Sequence, residues 1–248
     1  MCTAIILRRP NHRWPLILAA NRDEMRDRDW EAPDRHWNSC RQIIGGRDKV
    51  AGGSWIGIND YGLVAVILNR SGSLGPSKNQ SSRGNLVVNA LKYSTPSQAI
   101  STLLEKGLDQ YSGFNLLIAD TSECLWLRHD TKSHPQVKNV RNGLSMITNR
   151  DLNDQTCPKI SYYKNKFTSA KSPNIESGDL SDWEKILSDD EGNSSSRAKN
   201  TAICLNTPDY GTVNSSIIGM RIYNSRPQSV FFFCDGAPGS VKFRPVNH

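Results

Sequence analysis

Short unbroken apolar runs, each closed by a polar or turn-forming cluster, dominate the start of the chain. Cys2-Thr3-Ala4-Ile5-Ile6-Leu7 and Leu16-Ile17-Leu18-Ala19-Ala20 flank a turn at Pro10-Asn11. Runs of this length without alternation predict buried strands, here joined as a hairpin. Antiparallel pairing brings the outer ends of two strands together, which places Cys2 beside Asn21-Arg22-Asp23-Glu24. Residues 25–50 predict a long polar irregular segment packed by Trp30, Pro33 and Trp37, with Gly45-Gly46 and Gly52-Gly53 marking turns. A second hairpin is predicted over 55–58 and 63–68, around Asn59-Asp60-Tyr61-Gly62. Residues 71–84, rich in Gly and Ser and containing Pro76, predict a mobile surface loop.

Helical spacing then takes over. Residues 85–93 place Leu86, Val87, Ala90 and Leu91 on one side, and Thr95-Pro96 opens a second helix reaching about Leu108, with proline at its first position. A hairpin over 114–119 and 124–128 and a strand over 143–147 follow, the latter ending at Thr148-Asn149-Arg150. Residues 158–171 predict a helix with Ile160, Tyr163 and Phe167 on a shared face, and 182–187 a short one. Residues 189–197 are polar and predict an exposed stretch. Late strands are predicted over 201–205, 216–222 and 230–233, with another at 241–243. No shift in composition divides the chain, so residues 1–248 are expected to form a single domain. Many strands with two helix-rich blocks predict a mixed α/β protein with stacked sheets and helices outside; a closed barrel fits the same pattern.

Composition narrows the function classes. With 248 residues and 37% apolar content, the chain can bury a core without disulfides or metals. Its six cysteines are widely spaced and form no CxxC pair, which argues against a zinc ribbon or thioredoxin-like site. Cys124, Cys204 and Cys234 lie in or beside apolar runs and are expected to be reduced core residues in a cytoplasmic setting. No apolar run has membrane-spanning length. The basic cluster Arg8-Arg9 to Arg13 follows the first apolar run, the reverse of a secretory signal, whereas the acid-free first twenty residues leave a mitochondrial address as an alternative. The formal charge of +7 is spread among acids, as in Arg26-Asp27-Arg28-Asp29. No nucleic-acid-binding pattern accompanies it, so the expected partner is a small-molecule or hydrophobic anionic ligand. The five histidines show no metal-ligand spacing, and no metal is expected.

Cys2 carries the most specific chemistry. Removal of Met1 would make it the amino terminus, joining a thiol of reference pKa about 8.5 to an α-amine of about 7.7–8.0 that can accept its proton. Arg22 could stabilise the thiolate or orient a carboxylate. Asp23 could hold the α-amine, Glu24 offers a second acid, and Asn21 a carbonyl donor. Side chains alternate along a strand, so at most two or three of the four can face one pocket. An ion-paired strand end is the alternative reading.

Met1-Cys2-Thr3, Leu16 through Glu24, Gly52-Gly53-Ser54-Trp55-Ile56-Gly57-Ile58, Tyr111 through Leu116 and Pro208-Asp209-Tyr210-Gly211-Thr212 together resemble the NRDE family, which includes the transport-and-Golgi-organisation proteins. That family is similar to cysteine N-terminal-nucleophile hydrolases. The resemblance implies an α+β fold, a four-layer αββα sandwich, with Cys2 as nucleophile for amide hydrolysis or acyl transfer, without a required cofactor. It further implies Arg22 and Asp23 as supporting catalytic residues, Asn149 in Ser145-Met146-Ile147-Thr148-Asn149 as an oxyanion donor, and Asn21, Glu24 and Asn59 at the substrate. Two departures stand out. The hydrolase pattern separates Arg and Asp by two residues, whereas Arg22 and Asp23 are adjacent. Many relatives continue Tyr-Gly-Thr with arginine, where this chain has Val213. The family resemblance also implies a second class of function, non-catalytic carriage of haem or a hydrophobic acyl ligand, with Cys157-Pro158 as a thiolate haem motif and Golgi association as a further location.

Overall fold

The computed structural model describes residues 1–73, 80–193 and 201–247. Its elements in chain order are β1 (Thr3–Arg8), β2 (Leu16–Met25), β3 (Trp30–Asp34), β4 (Ile43–Asp48), β5 (Ile56–Asn59), β6 (Val64–Asn69), α1 (Gly84–Ala90), α2 (Pro96–Glu105), β7 (Phe114–Ala119), β8 (Cys124–His129), β9 (Gln136–Asn139), β10 (Gly143–Ile147), α3 (Pro158–Ser169), α4 (Ser181–Leu187), β11 (Tyr210–Tyr223), β12 (Arg226–Cys234) and β13 (Arg244–Pro245). The expected α+β class holds: the strands form two sheets, accompanied by two pairs of helices. The chain divides into two compact units.

The first unit comprises Met1–Arg28, Asn142–Gly219 and Val230–Val246. Its sheet has the order β10-β1-β2-β11-β12-β13. The predicted first hairpin is present, with Thr3 opposite Asn21 and Arg8 opposite Leu16. β10 pairs on the other side of β1, Ala4 opposite Ile147. Alternation sends Ile5, Ile17 and Ala19 to one face, where they pack with Ile160, Tyr163 and Phe167 of α3 and Trp183 and Leu187 of α4. The Phe167 and Trp183 rings meet edge to face at 5.1 Å. Both helices lie where the apolar spacing predicts them.

Two late strands are corrected. Residues 201–205 are not a strand, although 201–204 are buried. Their backbone is satisfied by individual groups instead of a ladder: Cys204 N donates to Asp189 O, Ile203 N to the Tyr163 hydroxyl, and Leu205 N to Thr212 Oγ1. Apolar sequence reports burial there, not extension. Similarly, Val241 makes only an isolated bridge with Pro238, and the strand β13 begins at Arg244.

The second unit comprises Asp29–Arg141, Met220–Ser229 and Asn247–His248. Its strands β3 to β9 form an antiparallel meander in sequence order. Helices α1 and α2 cover it through Leu86, Val87, Ala99, Ile100 and Leu103. Thr95 caps α2, accepting from Gln98 N at 3.3 Å, as Thr95-Pro96 predicts. The predicted irregular segment 25–50 instead contains β3 and β4 and the end of β2. Gly45 and Gly46 lie within β4 rather than at a turn. A Cβ at Gly46 would sit 2.2 Å from the Trp55 ring, so that glycine serves close packing. β9 is exposed along its whole length and shows no apolar alternation to predict it. Parts of the predicted loops at 71–84 and 189–197, namely 74–79 and 194–197, lie outside the described residues. Among the described residues, no helix is long and apolar enough to cross a membrane.

Candidate functional site

The β1–β2 register carries Cys2 to the end of β2. Its Sγ accepts from Asp23 N at 3.3 Å and lies 3.5 Å from Asp23 O. Cys2 is half-buried. Burial pushes its thiol pKa up and the Asp23 charge adds to this; the amino terminus, the Asp23 backbone bond and Arg22 oppose it. The net direction keeps the thiol protonated while Met1 is attached.

The four residues Asn21 to Glu24 divide by strand alternation. Asp23 and Asn21 share one face. Asp23 Oδ2 pairs with the amino terminus of Met1 at 2.6 Å, and Oδ1 accepts from Thr212 Oγ1 at 2.6 Å. Tyr210 donates to Asp23 O at 3.3 Å. Asn21 donates to Leu187 O and Ile203 O at 2.9 and 3.1 Å and accepts from Ser215 Oγ at 2.7 Å. Both of its amide hydrogens are therefore committed inside the protein. Arg22 and Glu24 take the other face. Arg22 is buried with its guanidinium 3.5 Å from Glu24 Oε2, and Glu24 also meets Arg28 at 3.8 Å. The adjacent Arg22 and Asp23 thus point apart, and each has its own opposite charge.

Asn149 is buried just beyond β10. β10 pairs with β1 as far as Ile147 opposite Ala4, and Asn149 follows two residues later. Asn59, in the second unit, donates to Leu91 O and Tyr93 O, each at 2.8 Å, and accepts from Tyr61 N and Leu63 N at 3.0 and 2.9 Å. Its oxygen is spent on its own turn and its amide hydrogens on the segment after α1, leaving no donor for a ligand. Cys157 precedes α3 and is buried, its Sγ 3.6 Å from Thr148 Oγ1. None of the six cysteines is in a disulfide. Among the described residues, no group of three or more His, Cys, Asp or Glu side chains could hold a metal ion.

Lys159 and Asn214 are among the buried polar residues that escaped the sequence reading. Lys159, in the first turn of α3, is 8% exposed and donates to Met1 O at 3.3 Å. Burial lowers its pKa, opposed by the nearby Asp23 and by Cys2, Cys157 and Cys204. A signal existed: Lys159 stands four residues before Tyr163 on an apolar face, and a cation in a helix's first turn opposes the helix dipole. Asn214 of β11 is 1% exposed, and neither end of its amide has a hydrogen-bond partner among the described residues. Leaving a buried polar group unpaired costs about 1–3 kcal/mol, so Asn214→Leu is expected to raise the unfolding free energy by about that amount in urea titration. A lowered midpoint would show that the amide is serving a partner.

A family profile described as Transport and Golgi organisation 2 matches residues 1–230. A Bos taurus Transport and Golgi organization protein 2 homolog is 28% identical over 231 residues, covering 82% of this chain and 81% of that protein. The Homo sapiens homolog is 36% identical over 114 residues, 43% of this chain and 39% of that protein. Among solved structures, a variant of the conjugated bile acid hydrolase from Clostridium perfringens superposes with a TM-score of 0.54 at 12% identity, covering 99% of this chain and 92% of that one. This last likeness is one of fold: two sheets flanked by helices, as in the αββα sandwich of N-terminal-nucleophile hydrolases.

Proposed function

Because the chain belongs to the Transport and Golgi organisation 2 family, on a hydrolase-like fold, we propose that it is an N-terminal-cysteine hydrolase or acyltransferase acting on an amide bond of a small molecule. The observation that carries this reading is the Cys2 thiol seated against Asp23, whose carboxylate holds the amino terminus at 2.6 Å. Removal of Met1 leaves the new α-amine of Cys2 next to that same carboxylate. The thiol gives its proton to the amine, and sulfur attacks the substrate carbonyl carbon. The C=O electron pair moves to oxygen, for which Asn149 is the assigned side-chain donor. Collapse breaks the C–N bond, and the leaving amine takes the proton back from the α-ammonium. Water then cleaves the thioester in hydrolysis, or an acceptor amine takes the acyl group in transfer. Arg22 favours the thiolate through its charge. We read the widely spaced cysteines, which form no CxxC pair, as fitting a cytoplasmic, reducing compartment.

Intact mass of the natively expressed, tag-free chain is expected to show loss of Met1. Incubation with para-nitrophenyl acetate is then expected to place one acetyl group on the Cys2 peptide, absent from Cys2→Ala. Retention of Met1, or acetylation spread over the other thiols with Cys2 spared, would sink the reading. In that event a saturable absorption change on haem titration would support the non-catalytic alternative, carriage of haem or a hydrophobic acyl ligand.

A further inference from the structure

We propose that Lys159 is the cationic donor of this site, holding the carbonyl oxygen of the amide that Cys2 attacks; this rests on the nucleophile reading above. The amide carbonyl nearest to Cys2 is its own, that of Met1, one bond from the Cys2 nitrogen. Lys159 Nζ donates to that oxygen at 3.3 Å. The same ammonium is more than nine-tenths buried, and among the described residues it pairs with no carboxylate. A buried ammonium is tolerated only with acceptors, since stripping its water costs several kcal/mol. Here its acceptor belongs to the residue that must leave before Cys2 can act.

Loss of Met1 changes the two buried charges differently. Asp23 loses the Met1 ammonium and gains the Cys2 ammonium in its place. Lys159 loses the Met1 carbonyl, the acceptor it has in this structure. It then faces the space beside the Cys2 amine with its donor unspent, where a substrate amide must present its carbonyl. The family resemblance pointed to two side-chain amides at the substrate carbonyl, Asn149 and Asn59. Asn59 is saturated by four bonds, two from N–H groups of its own turn and two to the carbonyls of Leu91 and Tyr93 beyond α1. Lys159 supplies a donor to pair with Asn149, and as a cation it matches the negative charge that develops on oxygen better than an amide does. No proton need pass through it. The thiol proton goes to the α-amine and then to the leaving amine, while Lys159 stays protonated and balances the oxyanion.

Chains shown by intact mass to have lost Met1 provide the test, with para-nitrophenyl acetate as acyl probe and iodoacetamide as control. Alkylation builds no charge on a carbonyl oxygen. Lys159→Met and Lys159→Gln are expected to slow acetylation of Cys2 by about 10²–10³-fold while alkylation of Cys2 changes by no more than about three-fold, and Lys159→Arg to recover part of the loss. Acetylation at the parent rate in both neutral variants would overturn the role of Lys159 and leave Cys2 standing as nucleophile. A parallel fall in acetylation and alkylation would also overturn it, by showing an effect on the thiol itself. If the parent chain fails to acetylate Cys2 at all, the nucleophile reading falls and this inference falls with it.

Discussion

Asn21→Ala is expected to be the most destabilising substitution in the segment from Asn21 to Glu24, lowering the unfolding free energy by about 3–5 kcal/mol. The reason lies in what Asn21 joins. From β2 it reaches the last residue of α4 through Leu187 O and the buried non-strand segment through Ile203 O, while Ser215 of β11 donates to its oxygen. Truncation leaves two buried carbonyls without donors. Ser215 keeps a second acceptor in Ala20 O at 3.1 Å, so its loss is smaller. Asn21→Asp is not expected to rescue, because it retains only the acceptor and turns a negative oxygen toward the two carbonyls. Urea titration separates this from a substrate-contact role. A midpoint unchanged in Asn21→Ala, with altered reactivity at Cys2, would return Asn21 to the substrate.

Asp23→Asn is expected to slow steady-state turnover of para-nitrophenyl acetate by about 10²–10⁴-fold, the range in which a positioned acid or base contributes. In the proposed mechanism the α-amine must become an ammonium as the thiol loses its proton, and Asp23 is the anion that meets it. An amide of the same shape keeps the Thr212 contact and lacks the charge. The sign of a second measurement distinguishes this from general damage. After burial, the Asp23 charge is the largest cause raising the Cys2 thiol pKa. Without that charge the thiol ionises at lower pH, so alkylation by iodoacetamide at neutral pH should become faster while turnover becomes slower. Both rates falling together would point to a disordered amino terminus instead. Thr212→Val, which leaves the carboxylate in place, is expected to have a smaller effect on turnover than Asp23→Asn.

The unequal legibility of this site has a physical basis. Unbroken apolar runs can be read locally, because burial on both faces of a strand demands them; β1 and β2 were legible for that reason, and their pairing brought Cys2 to Asp23. The helix α2 was legible from its starting proline, and α3 from the apolar spacing of Ile160, Tyr163 and Phe167. Glycine was misleading in β4, where its role is to let Trp55 approach. The apolar segment 201–205 was misleading because side chains can satisfy a buried backbone as well as a ladder can.

From its sequence alone the chain determined the α+β class, the first hairpin and the neighbourhood of Cys2, all consequences of side-chain pattern over a few residues. Only the tertiary structure decided how each polar group there is spent. It turned Asn21 and Asn59 inward as backbone pins, separated Arg22 from Asp23 across a strand, and brought Lys159 from a distant helix to the Met1 carbonyl. A side chain's chemistry is written in its type, but its partners are set by folding, and in a buried site the cost of an unmet donor or charge makes those partners decisive.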